Sequence, residues 1–442
     1  MTALNPVLDG SPYQSYLYAY PHKTAYRQLD PPVPLAEAWA RERRDALFLY
    51  LHVPFCEMRC GFCNLFTASR PKGDLVSAFV DAFERQARQV AAALGPTSFA
   101  RVALGGGTPT FLDPAQLERV FDVLERVMGA DVAGVPAGVE VSPATSTDDR
   151  LAVLKARGID RVSIGIQSFV DDEVRSVLRP QKVKVVRDAL DLIRAHDFPI
   201  LNVDLIYGID GQTVSSWLAS LEAALKWEPE EVYLYPLYVR PLTGLGRGER
   251  AWDDHRLGLY RAGRDFLLSR GYRQVSMRMF QRVSMDELPG RGGPPIYRCQ
   301  EDGMVGLGCG ARSYTRDLHY STEYAVGARG VRDIIEDFVQ RPDAAFAEAS
   351  WGFRLDEAER KQRWLILSLL ADGVSRTEWA EQFGGAVDAD HPELARLVAA
   401  GLARDDGARV SLTPAGVERS DAVGPWLHSQ RVQGLMDEWE LR

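Results

Sequence analysis

The chain has 442 residues, 46% hydrophobic and 26% charged, the balance of ordinary folded domains rather than of a disordered or fibrous chain. Its formal charge of −9 disfavours a general nucleic-acid binder, and no apolar run approaches the roughly 20 residues that cross a bilayer. The opening residues lack the basic start and apolar core of a secretory leader, so a cytoplasmic protein without membrane insertion is expected.

In chain order, residues 1–45 read as an irregular N-terminal arm rich in Tyr and Pro, with Tyr13, Tyr16, Tyr18, Tyr20 and Tyr26. Its aromatics are expected to pack it over the main domain, with substrate lining as the alternative. From about 46, short apolar runs alternate with longer amphipathic ones. Strands are predicted over 46–53, 100–104, 138–141, 161–166, 200–206 and 231–238. Helices are predicted over 74–93, 114–127, 147–156, 183–195 and 214–224. Repeated βα units imply a parallel sheet with helices outside. The fold class is α/β, either doubly wound or a barrel; six strands are fewer than a full barrel has, so a partial (β/α)6 barrel over 46–283 is expected. Ligands then belong at the carboxyl ends of the strands. Residues 284–355 break the period with Gly- and Pro-rich turns and read as an extension. Residues 356–442 read as helices followed by a small hairpin, a winged-helix-like closing domain. It carries no basic recognition helix, so packing or a lid is expected there rather than DNA reading.

The five cysteines are Cys56, Cys60, Cys63, Cys299 and Cys309. An odd number in a reducing compartment argues against a disulfide framework. Cys56, Cys60 and Cys63 follow the first predicted strand as Cys-x3-Cys-x2-Cys, in the first βα loop. Thiolates are the ordinary ligands of iron–sulfur clusters, and three of them on a four-iron cluster leave one iron open to chelate a small molecule. Zinc is the alternative, but structural zinc takes four ligands and no fourth Cys or His lies shortly downstream. His52, upstream on the strand, is expected to pack or to orient the loop.

Set within Tyr50-Leu-His-Val-Pro-Phe-Cys56, this spacing resembles that of the radical S-adenosylmethionine (SAM) enzymes. More narrowly it resembles the family of oxygen-independent coproporphyrinogen III oxidase, whose relatives include a haem chaperone and a group of SAM-dependent C-methyltransferases. The likeness continues through Leu104-Gly-Gly-Gly-Thr-Pro-Thr110, Arg161-Val-Ser-Ile-Gly-Ile-Gln167, Asn202-Val-Asp204-Leu-Ile-Tyr207 and Gly306-Leu-Gly-Cys309-Gly-Ala-Arg312-Ser-Tyr314. It implies a [4Fe–4S] cluster on Cys56, Cys60 and Cys63, with SAM on the open iron. One electron then cleaves SAM to methionine and a 5′-deoxyadenosyl radical. It also implies SAM contacts from Tyr50, Phe62, Gly106, Gly107, Thr108, Gln167, Arg179 and Asp204, with Glu140 on the ribose. The implied partners are a small-molecule or peptide substrate and an electron donor such as flavodoxin or ferredoxin. Methyl transfer would use a second SAM. Without the resemblance, Glu140 reads equally as a strand-end cap, Arg179 as a surface ion pair, and Tyr50 and Phe62 as wall.

The chain departs from that pattern in three places. The oxidase has a further cysteine one residue after the third ligand; here the segment is Cys63-Asn64-Leu65-Phe66. The haem chaperone's His-Asn before Tyr-Trp is replaced by the stretch 295–303, which holds Tyr297 and Cys299 but no His or Trp. Cys309 stands where the family usually has Ala. Catalytic candidates are Cys309, Cys299 and Tyr238; Cys309 reads alternatively as a small core residue, and Cys299 as a packed thiol or a haem ligand. Tyr207, Tyr233, Tyr235, Tyr238 and Arg240 are candidates for the substrate side, with only about half of the sixth-strand set facing inward. The expectation is an enzyme that makes a substrate radical, C-methylation being one form of it. A haem-binding chaperone is the alternative, and the oxidase itself is disfavoured.

Overall fold

The computed structural model describes residues 4–71, 73–179, 181–238, 251–284 and 299–440. Six parallel strands carry it: β1 (Leu47–Val53), β2 (Phe99–Gly106), β3 (Ala137–Val141), β4 (Arg161–Gln167), β5 (Ile200–Tyr207) and β6 (Glu231–Pro236). Each pairs in parallel with the next in sequence. The crossovers contain α1 (Leu75–Leu94), α2 (Pro114–Asp122), α3 (Asp148–Ala156), a short α4 (Asp171–Ser176), α5 (Val183–Ala195) and α6 (Val214–Ala224); α7 (Ala251–Ser269) follows β6.

Local sequence accounts for these helices. Along α1, Phe79, Val80, Phe83, Ala87, Val90 and Leu94 recur at helical spacing and are buried. Asp113 caps α2 by accepting from the Gln116 amide, Gln116 reaches back to the Asp113 amide, and Pro114 takes the first helical position. Thr213 and Ser216 cap α6 in the same reciprocal way.

Strand alternation divides the sheet into two faces. Val102, Leu104, Val139, Val162, Val203 and Leu205 are buried. Tyr50, Glu140, Asp204, Tyr233 and Tyr235 keep accessible surface and line the concave lumen. The helix side is therefore apolar core, and the lumen is polar and aromatic.

The sheet extends past the six strands to thirteen. Met304–Leu307 pairs in parallel with β1. Arg312–Tyr314, Leu318–Ser321, Glu348–Arg354 and Arg27–Pro34 continue that edge by antiparallel pairing. Met279–Arg282 and Tyr272–Gln274 extend the other side beyond β6. The first 45 residues are thus not irregular throughout. Arg27–Pro34, which holds Pro31, Pro32 and Pro34, is an edge strand whose register slips between Gln28 and Val33. Prolines are tolerated at such a position because no neighbour asks for their missing N–H. The stretch 299–355 likewise supplies strands to the main sheet; most are of three or four residues, too short to show a period in sequence.

Beyond it, Glu357–Leu370, Arg376–Phe383 and Glu393–Ala399 precede the hairpin Ala403–Asp405 and Arg409–Leu412, joined by Val374–Ser375 in a three-stranded sheet. Trp364, Leu365, Trp379, Leu397 and Val410 form a second core, and the arm inserts Val7, Tyr20 and Tyr26 into it. Among the described residues no helix is long and apolar enough to cross a membrane.

Barrel, arm and C-terminal domain meet at a buried ion pair. Arg278 bonds Asp421, and their side chains are 6% and 1% exposed. The Tyr238 hydroxyl also donates to Asp421, the Ser15 amide donates to the Asp421 carbonyl at 3.0 Å, and the Tyr16 ring lies 3.9 Å from the Arg278 guanidinium. Removing one partner strands a buried charge, which costs about 3–5 kcal/mol, whereas an apolar pair is near neutral. Asp421→Ala should therefore lower the denaturant midpoint sharply, and the double change Arg278→Met, Asp421→Leu should recover most of it in the same titration.

Candidate functional site

The cysteines lie in the loop between β1 and α1, and the loop is pinned along its length. A two-residue parallel ladder joins Phe55–Cys56 to Ala68–Ser69. The Gly61 amide donates to the Val177 carbonyl at 2.9 Å, just past α4. The Tyr324 hydroxyl donates to the Asn64 carbonyl at 2.9 Å. Buried His52 reaches the Phe66 carbonyl through Nε2 at 2.9 Å and the Tyr50 hydroxyl through Nδ1 at 3.3 Å. Burial holds its pKa down to about 4, so it is a neutral donor that ties β1 to the end of the loop.

The glycine motif at the end of β2 holds this loop. Its amides are already used: Gly106 donates to Glu140 Oε2 at 3.0 Å, Gly107 to the Val53 carbonyl and Thr108 to the Phe55 carbonyl, both at 2.8 Å. A Cβ on Gly107 would stand 2.4 Å from the Phe55 carbonyl oxygen, and one on Gly106, at φ +110°, 2.7 Å from the His52 ring. Gly107 and Thr108 thus spend their amides on the end of β1 and on the cysteine loop, and Gly106 spends its amide on Glu140. Gly308 and Gly310 approach from the opposite side, where a Cβ would meet the His52 carbonyl at 2.3 Å and the Phe66 ring at 2.6 Å.

Each thiol has a polar neighbour. Cys56 Sγ is 3.2 Å from the Thr108 hydroxyl and 3.5 Å from Glu57, which accepts from Ser142 at 2.7 Å. Cys60 Sγ accepts from Arg179 Nη1 at 3.3 Å, and Cys63 Sγ is 3.9 Å from the Thr67 hydroxyl. Burial, reinforced by Glu57, pushes the Cys56 thiol up to about 12. Burial also raises Cys60, against the pull of Arg179. Cys56 and Cys60 thus hold their protons without metal, and a metal must displace those protons to bind. Arg179 is not a surface ion pair: it also donates to the Gly165 carbonyl at 2.7 Å and to Gln181 at 2.8 Å, joining the loop to β4. Among the described residues no three His, Cys, Asp or Glu side chains close on a single ion. Three neighbouring thiols with hydroxyl and guanidinium donors at the sulfurs suit an iron–sulfur cluster, whose ligands stand on separate irons.

Below the loop lies the lumen. Glu140 keeps one oxygen beyond its Gly106 contact, and its enclosure in the concave face raises its carboxyl. Asp204 accepts from Asn202 at 2.7 Å. Enclosure raises it to about 7, with Glu140 and Glu231 adding and Asn202 and Arg161 opposing. Gln167 has φ +72° at a register shift between β4 and β5, a strained non-glycine position. Arg161, not singled out from the sequence, pairs with Glu231 at 2.7 Å.

Other candidates fall elsewhere. Cys309 is wholly buried in the main core with its thiol 3.7 Å from the Ile334 carbonyl, so it does not face the lumen. Tyr207 is packed with Tyr13, Trp217 and Tyr260 on the helix side. Tyr238 spends its hydroxyl on Asp421. Phe62 packs beside Val177, Ile206, Ile209 and Leu237. Tyr233 and Tyr235 do face inward, stacked at 5.9 Å, and Tyr16 meets Tyr235 edge-on at 6.2 Å. Cys299 is partly exposed beside Arg312, its thiol pushed up to about 11 by burial. Arg240 and residues 295–298, including Tyr297, lie outside the described residues. Arg278 and Asp421 carry no sequence signal, because each matters through a partner remote in the chain; Arg312 lies inside the Gly306–Tyr314 motif, where nothing local marks it as a site residue.

The sequence profile of the Radical SAM superfamily matches residues 50–224. Among curated proteins the chain is 30% identical over 383 residues to an oxygen-independent coproporphyrinogen III oxidase of Paracoccus denitrificans, covering 78% of this chain and 81% of that one. It is 26% identical over 383 residues to the heme chaperone HemW of Bacillus subtilis, covering 83% and 95%. Its fold matches that of coproporphyrinogen III oxidase (HemN) from Escherichia coli with a TM-score of 0.79 at 24% identity, over 93% and 96% of the two chains.

Two predictions follow from the geometry. Gly107→Ala forces the Phe55 carbonyl away and should lower iron incorporation by more than half, whereas Gly258→Ala, in open space, should not; iron and sulfide assays compare them. Enclosure raises the folded Asp204 carboxyl to about 7, from an ordinary value of 3.8 in the unfolded chain. Between those values the folded protein holds a proton that the unfolded chain has released, so stability from this site declines as pH rises through that window. Asp204→Asn should flatten the decline, read as urea midpoints of both proteins from about pH 5 to about pH 8.

Proposed function

Because this chain belongs to the radical SAM superfamily, in the family that holds oxygen-independent coproporphyrinogen III oxidase and a haem chaperone, we propose that it is a radical SAM enzyme with one [4Fe–4S] cluster on Cys56, Cys60 and Cys63. Bound together, cluster and SAM supply one-electron cleavage of SAM and with it a 5′-deoxyadenosyl radical. The observation that carries the reading is the gathering of these thiols at the carboxyl ends of the parallel strands, directly over a polar lumen.

The chain's own groups then have definite tasks. Thr108 and Arg179 donate to sulfur and hold the loop's shape. Glu140 offers its remaining oxygen to the SAM ribose, and Asp204 and Gln167 complete the polar wall. Tyr50 on β1 and Phe62 within the loop supply its aromatic contacts to SAM. Tyr233 and Tyr235 form the inner wall on the substrate side. The substrate is a small molecule or peptide, and flavodoxin or ferredoxin supplies the electron. C-methylation with a second SAM is one form of the reaction. Leu65 stands where the oxidase has its further cysteine and is 46% exposed, which argues against porphyrinogen oxidation.

Anaerobic reconstitution tests the proposal. We expect about four irons per chain, lost in Cys56→Ala, Cys60→Ala or Cys63→Ala and kept in Cys299→Ala and Cys309→Ala. With reductant and SAM, 5′-deoxyadenosine should form, and coproporphyrinogen III should stay unconverted. Methyl transfer would add S-adenosylhomocysteine. A haem titration saturating at one equivalent with affinity of about −8 kcal/mol or better, abolished by Cys299→Ala, would replace the enzyme with the chaperone.

A further inference from the structure

Several cations inside this protein sit with counter-charges, Arg161 with Glu231, Arg278 with Asp421, Arg256 with Asp253 and Arg363 with Glu301, while Arg179 is held by the Cys60 sulfur, the Gly165 carbonyl and Gln181. Arg312 differs. Among the described residues no carboxylate pairs with it, and its Nη1 is buried without a hydrogen-bond partner. Its guanidinium lies 4.7 Å from the centroid of Tyr18 and 5.9 Å from that of Tyr314. Tyr26, whose hydroxyl is also buried without a partner, and Tyr50 stand within its electrostatic reach. Gly306 pairs with Tyr50 on one side and lies against the Arg312 backbone on the other, and the Tyr50 hydroxyl and Glu140 meet over Gly105, so Arg312 shares their face of the sheet and faces the lumen that the cysteine loop covers. Arg312 itself keeps part of its surface open.

A buried charge without a counter-charge is costly, and aromatic rings offset only part of that cost. A guanidinium held by rings still presents its N–H edge, which matches a carboxylate with two parallel hydrogen bonds. A single negative charge neutralises it; a dianion would bring excess negative charge towards Glu140 and Asp204. We propose that Arg312, steadied by Tyr18 and Tyr314, is the recognition point for a carboxylate on the molecule processed in the lumen. The proposal rests on the enzymatic reading above for the lumen's role and deepens it with a substrate class. Because Tyr18 belongs to the arm, carboxylate recognition and coverage of the lumen by the arm share one contact.

The test is thermal unfolding of the cluster-loaded protein with benzoate, its uncharged counterpart benzamide, or inorganic phosphate. Benzoate should raise the unfolding midpoint of the wild type in a saturable way, and benzamide should not. Arg312→Met should weaken the apparent benzoate affinity at least tenfold, Arg312→Lys less. Without additive, the Met variant should unfold at or above the wild-type midpoint, because it loses an uncompensated charge. Any of four results overturns the proposal: no benzoate response in the wild type, an unchanged response in the Met variant, a Met variant less stable than the wild type, or a stronger response to phosphate. SAM affinity is measured on the same samples; its loss in the Met variant would assign Arg312 to the SAM carboxylate and overturn the substrate site. Absent 5′-deoxyadenosine in the wild type would overturn the enzymatic reading, while the benzoate response would still report on Arg312.

Discussion

The close approach of two stretches of backbone governs this site. The turn at the end of β2 lies so near the cysteine loop that its Gly107 and Thr108 amides bond the Val53 and Phe55 carbonyls. No side chain fits between them at Gly107. That contact sets where Phe55 and Cys56 stand, and the Thr108 hydroxyl then meets the Cys56 sulfur. The Gly106 amide, one position earlier, fixes Glu140. A short glycine run thus orients both a thiol and the lumen carboxylate through main-chain hydrogen bonds, which a parallel sheet positions rigidly. Gly308 and Gly310 press on the same loop from behind, so the cysteines sit between two glycine-rich turns.

Electrostatics within the lumen follow from enclosure. Glu140 and Asp204 lie in one concave space, and removal from water raises both carboxyls. Arg161 sits close enough to oppose the rise at each, yet its own direct partner is Glu231. Asp204 is therefore raised to about 7. Arg312 is the counterpart of opposite sign on the far side of Tyr50.

Closure involves segments that are remote in the chain. The arm contributes Tyr13 to the main core and Tyr20 and Tyr26 to the C-terminal core, and between them Tyr16 and Tyr18 reach the lumen arginines. The Arg278–Asp421 pair welds that crossing to the C-terminal domain. Opening the lumen on this side means exposing or separating buried charges, so the arm and the C-terminal helix act on the site as one body.

The sequence by itself determined the βα period, the position of the cysteines after the first strand and the family. Each of these is local: strand and helix periods, capping residues and ligand spacing are written in neighbouring positions. Motif and order single out Cys56, Cys60, Cys63, Glu140 and Asp204 as candidates. Tertiary structure alone decided which way the groups face. The Gly107 and Thr108 amides bond β1 and the cysteine loop, Arg179 bonds Cys60, and Cys309 and Tyr207 turn into the core, because a one-residue change of strand phase or a neighbouring backbone sets direction. The prolines of Arg27–Pro34 concealed a strand that only its place at the sheet edge permits. Arg278 and Arg312 were illegible for a simpler reason: a cation's meaning lies in its counter-charge, Arg278 finds its own 143 residues away, and Arg312 has none among the described residues.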